Sequence, residues 1–157
     1  MESIQNAYNW AIETCNIDNV GYSQNYRMQK TVNGITYYDC SSFIWFSLIN
    51  GGFDVVAANG STWAFTTSNM ETVLKLLGFV KHANAQPWKA GDILIRTGHT
   101  EMAFDGTHTM GAHTSSVPLA QQVSINSNAA AASDWLRLWR WETGATTQWI
   151  KGNRYLS

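Results

Sequence analysis

Apolar residues recur every three to four positions near the start of the chain, which predicts an amphipathic helix over residues 3–16. The apolar face of this helix carries Ile4, Ala7, Tyr8, Ala11 and Cys15. Because Cys15 lies on that face, we expect it to belong to the core. The polar stretch 16–36 that follows contains turn residues such as Asn33-Gly34 and predicts an irregular loop.

Two further apolar patterns in the first half predict helices. The run 43–49 is hydrophobic on nearly every side and precedes Gly51-Gly52, which is typical of a short buried helix with a glycine stop. Farther on, a helical face ends at Gly78. That face is formed by Met70, Val73, Leu74 and Leu77.

The second half of the chain predicts strands. Those strands cover 79–82, 93–95, 98–104, 107–114, 123–125 and 135–141. Asp105-Gly106 separates two of them and indicates a hairpin. Helices followed by an antiparallel sheet indicate an α+β domain. We expect this domain to span 1–142, and the polar tail 143–157 to be a linker or the start of a further module.

Composition and charge narrow the possible functions. The chain has 157 residues and a net charge of -1, which gives no electrostatic basis for binding nucleic acid. No apolar run is long enough to cross a bilayer, so we expect no membrane insertion. The first residues carry no secretory signal pattern. Aromatic residues make up 13% of the chain, which fits a large core or a platform for sugar rings.

The candidate nucleophile is Cys40, which lies where a polar turn meets the apolar run 43–49. At a helix N-terminus, unpaired N–H groups and the helix dipole favour an anion, so we expect a lowered thiol pKa and partial thiolate at neutral pH. The alternative is a buried structural cysteine. With Cys15 the only other cysteine, we expect both thiols to be reduced.

A thiol nucleophile needs a general base, and three of the four histidines lie on the predicted hairpin. Antiparallel pairing would bring His99 close to His113, so His99 can act as the base and His113 can orient it. Glu101 faces the same side as His99 and is expected to support it. His108 lies beside the turn, so we expect it to be exposed and to take no part in the chemistry.

Three other chemistries remain open. Cys40 and the three hairpin histidines could bind zinc, although their spacing matches no common zinc motif. Ser41 or Ser42 could be the nucleophile, but neither lies in a G-x-S-x-G turn. Glu101 and Asp105 could serve as paired carboxylates for glycoside cleavage. We expect no metal and no cofactor.

The segment Tyr38-Asp39-Cys40-Ser41-Ser42 resembles the D-C-S-S/G motif of the NlpC-like cell-wall cysteine peptidases. Other matching segments are Gly21-Tyr22-Ser23, Ala90-Gly91-Asp92-Ile93, Gly98-His99-Thr100 and Gly111-Ala112-His113. The resemblance covers about residues 4–141. Residues 22–42 also share the Y-S-x-x-Y/F-R…Y-D-C-S-S layout of the phage endolysin amidase branch.

This resemblance implies a papain-like fold, with the nucleophile at a helix N-terminus packed on an antiparallel sheet. By position, Cys40 would be the nucleophile, His99 the base and His113 the orienting residue. Tyr22, Asp39 and Ser41 would contact the oxyanion or the substrate. The gap from His99 to His113 is slightly longer than the usual spacing in that family, so His108 is the fallback for the orienting position.

The resemblance also implies a peptidoglycan hydrolase. The scissile bond would be the N-acetylmuramoyl-L-alanine amide or an amide of the stem peptide. We expect a monomer that travels from the host cytoplasm to the wall through a holin pore, or that is carried on the virion. Two alternatives are a non-catalytic wall-binding module and a general cysteine protease or acyltransferase on the same fold.

Overall fold

The computed structural model describes residues 1–126 and 132–142, and in them it confirms the α+β class. The helices are α1 (Ile4–Cys15), α2 (Cys40–Asn50), α3 (Val55–Asn59), α4 (Met70–Leu77) and α5 (Leu119–Gln122), followed by a 3-10 turn at Ala132–Asp134. The strands are β1 (Val20–Tyr22), β2 (Thr31–Val32), β3 (Ile35–Tyr38), β4 (Phe79–Ala83), β5 (Ile93–Arg96), β6 (His99–Ala103), β7 (Thr109–Ala112), β8 (Val123–Asn126) and β9 (Arg137–Trp141). The predicted tail 143–157 lies outside the described residues.

Helix α2 is buried along most of its length, as its apolar sequence predicts. Asp39 caps it by accepting the N–H of Ser42 at 2.8 Å, while the Ser42 hydroxyl accepts the N–H of Asp39 at 2.9 Å. The helix ends against the start of α1, where a Cβ on Gly51 would lie 2.7 Å from the carbonyl oxygen of Ser3. Glycine is therefore required at this position for the two helices to pack closely.

The stretch 16–36 is not the irregular loop that its polar sequence predicts, and this prediction is wrong. Strands β1, β2 and β3 form a small sheet in the order β1-β3-β2, with β1 parallel to β3. Asn33 and Gly34 both have positive φ and form the tight turn between β2 and β3. Strands this short lack a visible alternation, and the β1–β3 pairing joins residues 16 positions apart.

The larger sheet has six strands in the order β4-β9-β5-β6-β7-β8, all antiparallel to their neighbours. The predicted hairpin is present, with Met102 paired to Met110 and Ala103 paired to Thr109. Strand β9, near the end of the described chain, inserts between β4 and β5. Strand β5 therefore lies between β9 and β6, the strand that carries the candidate base His99.

The two faces of β5 and β6 contribute to different apolar clusters. Met102 and Ile95 belong to the main core together with α1, α2 and α4. The opposite face belongs to a smaller cluster that contains Leu94, Ala103 and Trp135. His99 and Glu101 project from this second face, because side chains alternate along a strand. Among the described residues, no helix has the length and apolar character needed to span a membrane.

Candidate active site

Cys40 is the first residue of α2 and lies against β6. The backbone N–H groups of Ser41 and Thr100 act on its thiol and lower the thiol pKa, and the residue is 7% exposed. Thr100 directly follows His99 in β6, so the packing of α2 brings the sulfur to the strand that carries the candidate base. The structure therefore joins the two predicted segments through the Thr100 backbone.

The thiol of Cys40 is not acidic, contrary to the sequence prediction. Burial raises its pKa to about 11, and the Asp39 carboxylate adds to this rise. The N–H groups of Thr100 and Ser41 lower the pKa but do not offset burial. The prediction of a lowered pKa is wrong because packing of α2 against the sheet removes water from the thiol, and this desolvation outweighs the effect of the helix N-terminus.

Asp39 and Ser41 are held by Arg27, a buried arginine that was not among the predicted site residues. Arg27 donates from Nε to Asp39 Oδ2 at 2.7 Å and from Nη2 to Ser41 Oγ at 3.0 Å. It also donates to the carbonyl oxygens of Ala64 and Phe65. The only available signal was the arginine in the Y-S-x-x-Y/F-R layout. Arg27 thus fixes the residues on either side of Cys40, and substrate contact by Asp39 and Ser41 stays a prediction.

His99 is oriented by Glu101 and Trp135. Its Nε2 atom lies 2.7 Å from Glu101 Oε2, and its ring stacks on Trp135 with centroids 6.0 Å apart. A carboxylate can only accept a hydrogen bond, so Nε2 carries the proton and Nδ1 is the basic nitrogen of the neutral ring. Within the part of the chain that the structure describes, Nδ1 has no hydrogen-bond partner.

Glu101 is the centre of the cluster. It is 2% exposed and accepts three hydrogen bonds, from His99, from His113 Nδ1 at 2.7 Å and from Thr109 Oγ1 at 2.6 Å. Burial alone would raise its pKa, but the bonds from His113 and His99 more than offset this and lower the pKa to about 2. Glu101 is therefore a fully satisfied carboxylate.

His113 is positively charged in this arrangement. Its Nδ1 faces Glu101, and its Nε2 faces the carbonyl oxygen of Ser124 at 2.9 Å. The Ser124 hydroxyl at 3.1 Å donates to Gln121 and so accepts from the ring. With acceptors at both nitrogens, the ring carries two protons. Burial opposes this charge, but the hydrogen bond and the charge of Glu101 raise the pKa of His113.

The two histidines do not touch in the way that the sequence predicts, because Glu101 stands between them. Glu101 contacts the base directly, and His113 contacts Glu101. His108 lies apart from them and bonds to Asp105 at the β6–β7 turn, with 41% of its side chain exposed. The alternation of side chains along β6 predicted that Glu101 faces the same side as His99. It did not predict that Glu101 would take the position beside His99 that was expected for His113.

Tyr22 and Cys15 also lie near the cluster. Burial raises the pKa of Tyr22, whose backbone N–H donates to Gln122 at 2.8 Å and whose hydroxyl accepts from Gln24 at 3.4 Å. Burial raises the pKa of Cys15 to about 12, although the backbone N–H of Gly111 acts to lower it. Both cysteines are free thiols, as expected.

A cleft of about 770 Å³ opens at the histidine cluster. We call it the His-lined cleft, because His99, Glu101 and His113 form part of its wall. Its other lining residues are Arg96, Thr97, Thr114, Val117, Ala120, Gln121, Ser124 and Ile125. Cys40 is not among the residues that line this cleft, and among the described residues its sulfur makes no hydrogen bond to His99.

The same cluster has the composition of a metal site. One ligand atom each from His99, Glu101 and His113 lies within 4.8 Å of the others. These atoms are already engaged in two hydrogen bonds of 2.7 Å. A divalent cation would have to displace the protons of both bonds, so the arrangement suits proton transfer better than metal binding.

Comparison with known proteins places the chain in a family. An endolysin-like domain family matches residues 2–110, more than half of the chain. The matched segment includes Cys40, His99 and Glu101 and ends before His113. No curated protein matches the chain. This family match supports a phage cell-wall lytic function in general and is consistent with peptidoglycan as the substrate. The chain belongs to the endolysin-like domain family.

Proposed function

We propose that this chain hydrolyses an amide bond of bacterial peptidoglycan, with Cys40 as the nucleophile and His99 as the general base. The observation that carries this proposal is the hydrogen bond from His99 Nε2 to Glu101 at 2.7 Å. That bond leaves Nδ1 of His99 as the basic nitrogen. The next residue, Thr100, has the backbone N–H that lowers the pKa of the Cys40 thiol. A thiol, an oriented imidazole and a carboxylate form the arrangement that nucleophilic acyl transfer needs.

The reaction begins when His99 Nδ1 removes the thiol proton as the sulfur attacks the carbonyl carbon. The raised pKa of Cys40 makes this base necessary, because little thiolate exists beforehand at neutral pH. The negative charge on the carbonyl oxygen is stabilised by the N–H of Cys40 at the start of α2 and by the Tyr22 hydroxyl. The C–N bond then breaks, and the His99 imidazolium protonates the leaving amine.

A water molecule completes the cycle. His99 takes a proton from this water while its oxygen attacks the thioester carbon. The carboxylic acid leaves, and the thiol of Cys40 regains a proton from His99. Glu101 stabilises the imidazolium form of His99 in both halves of the reaction, because its carboxylate is 2.7 Å from Nε2.

His113 serves this chemistry indirectly. A carboxylate that is 2% exposed would be costly to ionise alone, and the imidazolium of His113 compensates its charge. His113 is thus a positioning residue that keeps Glu101 ionised. This extends the Cys-His-His prediction to a chain of Cys40, His99, Glu101 and His113.

The substrate follows from the family. Endolysin-like domains act on the cell wall, and the amides of its stem peptides suit a thiol nucleophile with an oriented base. The bond is either the N-acetylmuramoyl-L-alanine amide or an amide within the stem peptide. Release through a holin pore or transport on the virion would bring the protein to this wall.

Purified cell walls test the proposal. Wild type should lower the turbidity of a wall suspension, and Cys40→Ala should not. Cys15→Ser is the matched control, because it alters a thiol near the cluster but not the proposed nucleophile. Mass spectrometry of the released fragments would identify the scissile bond. Lysis by a folded Cys40→Ala protein would disprove the mechanism.

Wall binding and casein digestion separate the alternatives. A binding module would pull down walls without releasing fragments, and iodoacetamide would not change this. A general cysteine protease would digest casein as well as walls. We expect release of fragments from walls only.

A further inference from the structure

We propose that Arg96 binds a free carboxylate of the substrate beside the scissile amide, and that the enzyme therefore prefers stem peptides in which this group is not amidated. This inference rests on the proposed function. It adds a substrate class and a residue that selects it.

The first support is the position of Arg96 relative to the base. Arg96 and His99 are paired residues on β5 and β6, joined by the two-residue turn Thr97-Gly98. Gly98 has a φ of 74°, which a tight turn of this kind requires. Directly paired residues in an antiparallel sheet project to the same face with Cβ atoms about 4.5–5.5 Å apart. A group held by Arg96 therefore lies within one substrate residue of the carbonyl at His99.

The second support is the fixed orientation of the guanidinium. Its Cζ atom lies 5.1 Å from the centroid of the Trp135 ring, the same ring on which His99 stacks. Trp135 is 2% exposed, and the N–H of the next residue, Leu136, bonds to the carbonyl of Ile95 at 2.9 Å. The arginine and the base thus share one rigid aromatic platform, which reduces the entropy lost on binding a ligand.

The third support is the charge of the His-lined cleft. Among the described residues no carboxylate pairs with Arg96. Glu101, the acidic residue of the cleft wall, is already occupied by His99, His113 and Thr109. An arginine with free donors beside a satisfied carboxylate is suited to an anionic ligand, and its planar fork matches a carboxylate.

Peptidoglycan supplies such a group. The D-glutamate of the stem peptide carries an α-carboxylate that is free in some walls and amidated in others. The D-glutamate that carries this carboxylate directly follows the L-alanine of the muramoyl amide. Its γ-amide continues the stem peptide. Either scissile bond considered above therefore has this carboxylate within about one residue.

Two muropeptides that differ only in D-isoglutamate or D-isoglutamine test the inference. We expect wild type to favour the carboxylate form by about 10- to 100-fold in kcat/KM, mainly through KM, as expected for charge-assisted bonds. Arg96→Gln should bring the ratio close to one, and Arg96→Lys should retain part of it. Lys75→Gln removes an exposed cation from α4, outside the cleft, and should keep the wild-type ratio.

Calorimetric titration of Cys40→Ala with the same muropeptides gives a readout that needs no turnover. The carboxylate form should bind 10- to 100-fold more tightly, and Cys40→Ala/Arg96→Gln should lose this difference. Equal affinities, or an equal kcat loss on both substrates in Arg96→Gln, would overturn the role of Arg96 while leaving the hydrolase intact. Cleavage by Cys40→Ala would instead overturn the proposed function, and the binding ratio would still decide the role of Arg96.

Discussion

Nδ1 of His113 lies 2.7 Å from Oε2 of Glu101, so that a buried imidazolium and a buried carboxylate form an ion pair behind the candidate base. The same oxygen accepts the proton of His99 Nε2. One carboxylate oxygen therefore connects His99, the proposed base, to His113, whose positive charge compensates that of Glu101.

Glu101→Gln should lower kcat by about 10²- to 10⁴-fold while changing KM little, because a neutral amide stabilises the His99 imidazolium poorly. The measurement is the initial rate of fragment release from a soluble muropeptide. Thr109→Val removes only the donor to the other oxygen of Glu101 and should cost much less. A Glu101→Gln variant with unchanged kcat would contradict the assignment of Glu101.

The pH dependence of stability follows from the same pair. The pKa of His113 is raised on folding, so its contribution is fully present below about 6.5 and is lost as pH rises through the folded pKa. The pKa of Glu101 is lowered to about 2, so its contribution is present above about 4.3 and is lost as pH falls towards 2. We expect the pair to stabilise the fold most between about pH 4.5 and 6.5.

Urea unfolding across pH 2–9 in buffer with EDTA measures this effect. His113→Gln should flatten the loss of stability on the alkaline side, and His108→Gln, which changes an exposed histidine, should leave it unchanged. A stability that keeps rising above pH 7 in wild type would be inconsistent with a charged His113.

The reactivity of Cys40 should reflect its raised pKa. In a Cys15→Ser background, the rate of alkylation by iodoacetamide should keep increasing up to about pH 10–11, since only the thiolate reacts. At pH 8 the rate should be roughly 100-fold below that of an unhindered cysteine peptide. A plateau below pH 7 would indicate a preformed thiolate and imidazolium pair instead.

Arg27→Met should destabilise the fold by about 3–5 kcal/mol, because it leaves Asp39 buried without its partner. Thermal or urea unfolding measures this cost. Arg137→Met is a suitable control, because Arg137 forms a more exposed pair with Glu71 and should cost about 1 kcal/mol or less. Equal costs for the two variants would show that Arg27 is not the buried support of the α2 N-terminus.

Treatment with EDTA should leave wall lysis unchanged, because the ligand atoms of His99, Glu101 and His113 are engaged with one another through protons. The comparison is between EDTA-treated protein and the same protein after addition of Zn²⁺. Loss of activity on chelation and its recovery with Zn²⁺ would assign the cluster to a metal and remove the basis for the thiol mechanism.

Local sequence patterns were sufficient to predict those helices and strands that depend on the residues of one segment alone. The periodicity of α1, the apolar run of α2 with its glycine stop and the alternation of β6 all predicted the observed elements. The short strands of 16–36 were missed, since the partner of β1 lies 16 residues away. Asp39 was identified beside the nucleophile, but its buried partner Arg27 became evident only in the folded chain.

Residue types at local spacings were enough to predict the α+β class, the helix that begins at Cys40 and the strand that carries His99. The packing of distant segments is what buries the thiol, which raises its pKa, and what places Glu101 between His99 and His113. It also decided that Arg96 and His99 share the Trp135 ring. Desolvation and side-chain contact depend on which distant segments pack together, and no local spacing encodes that packing.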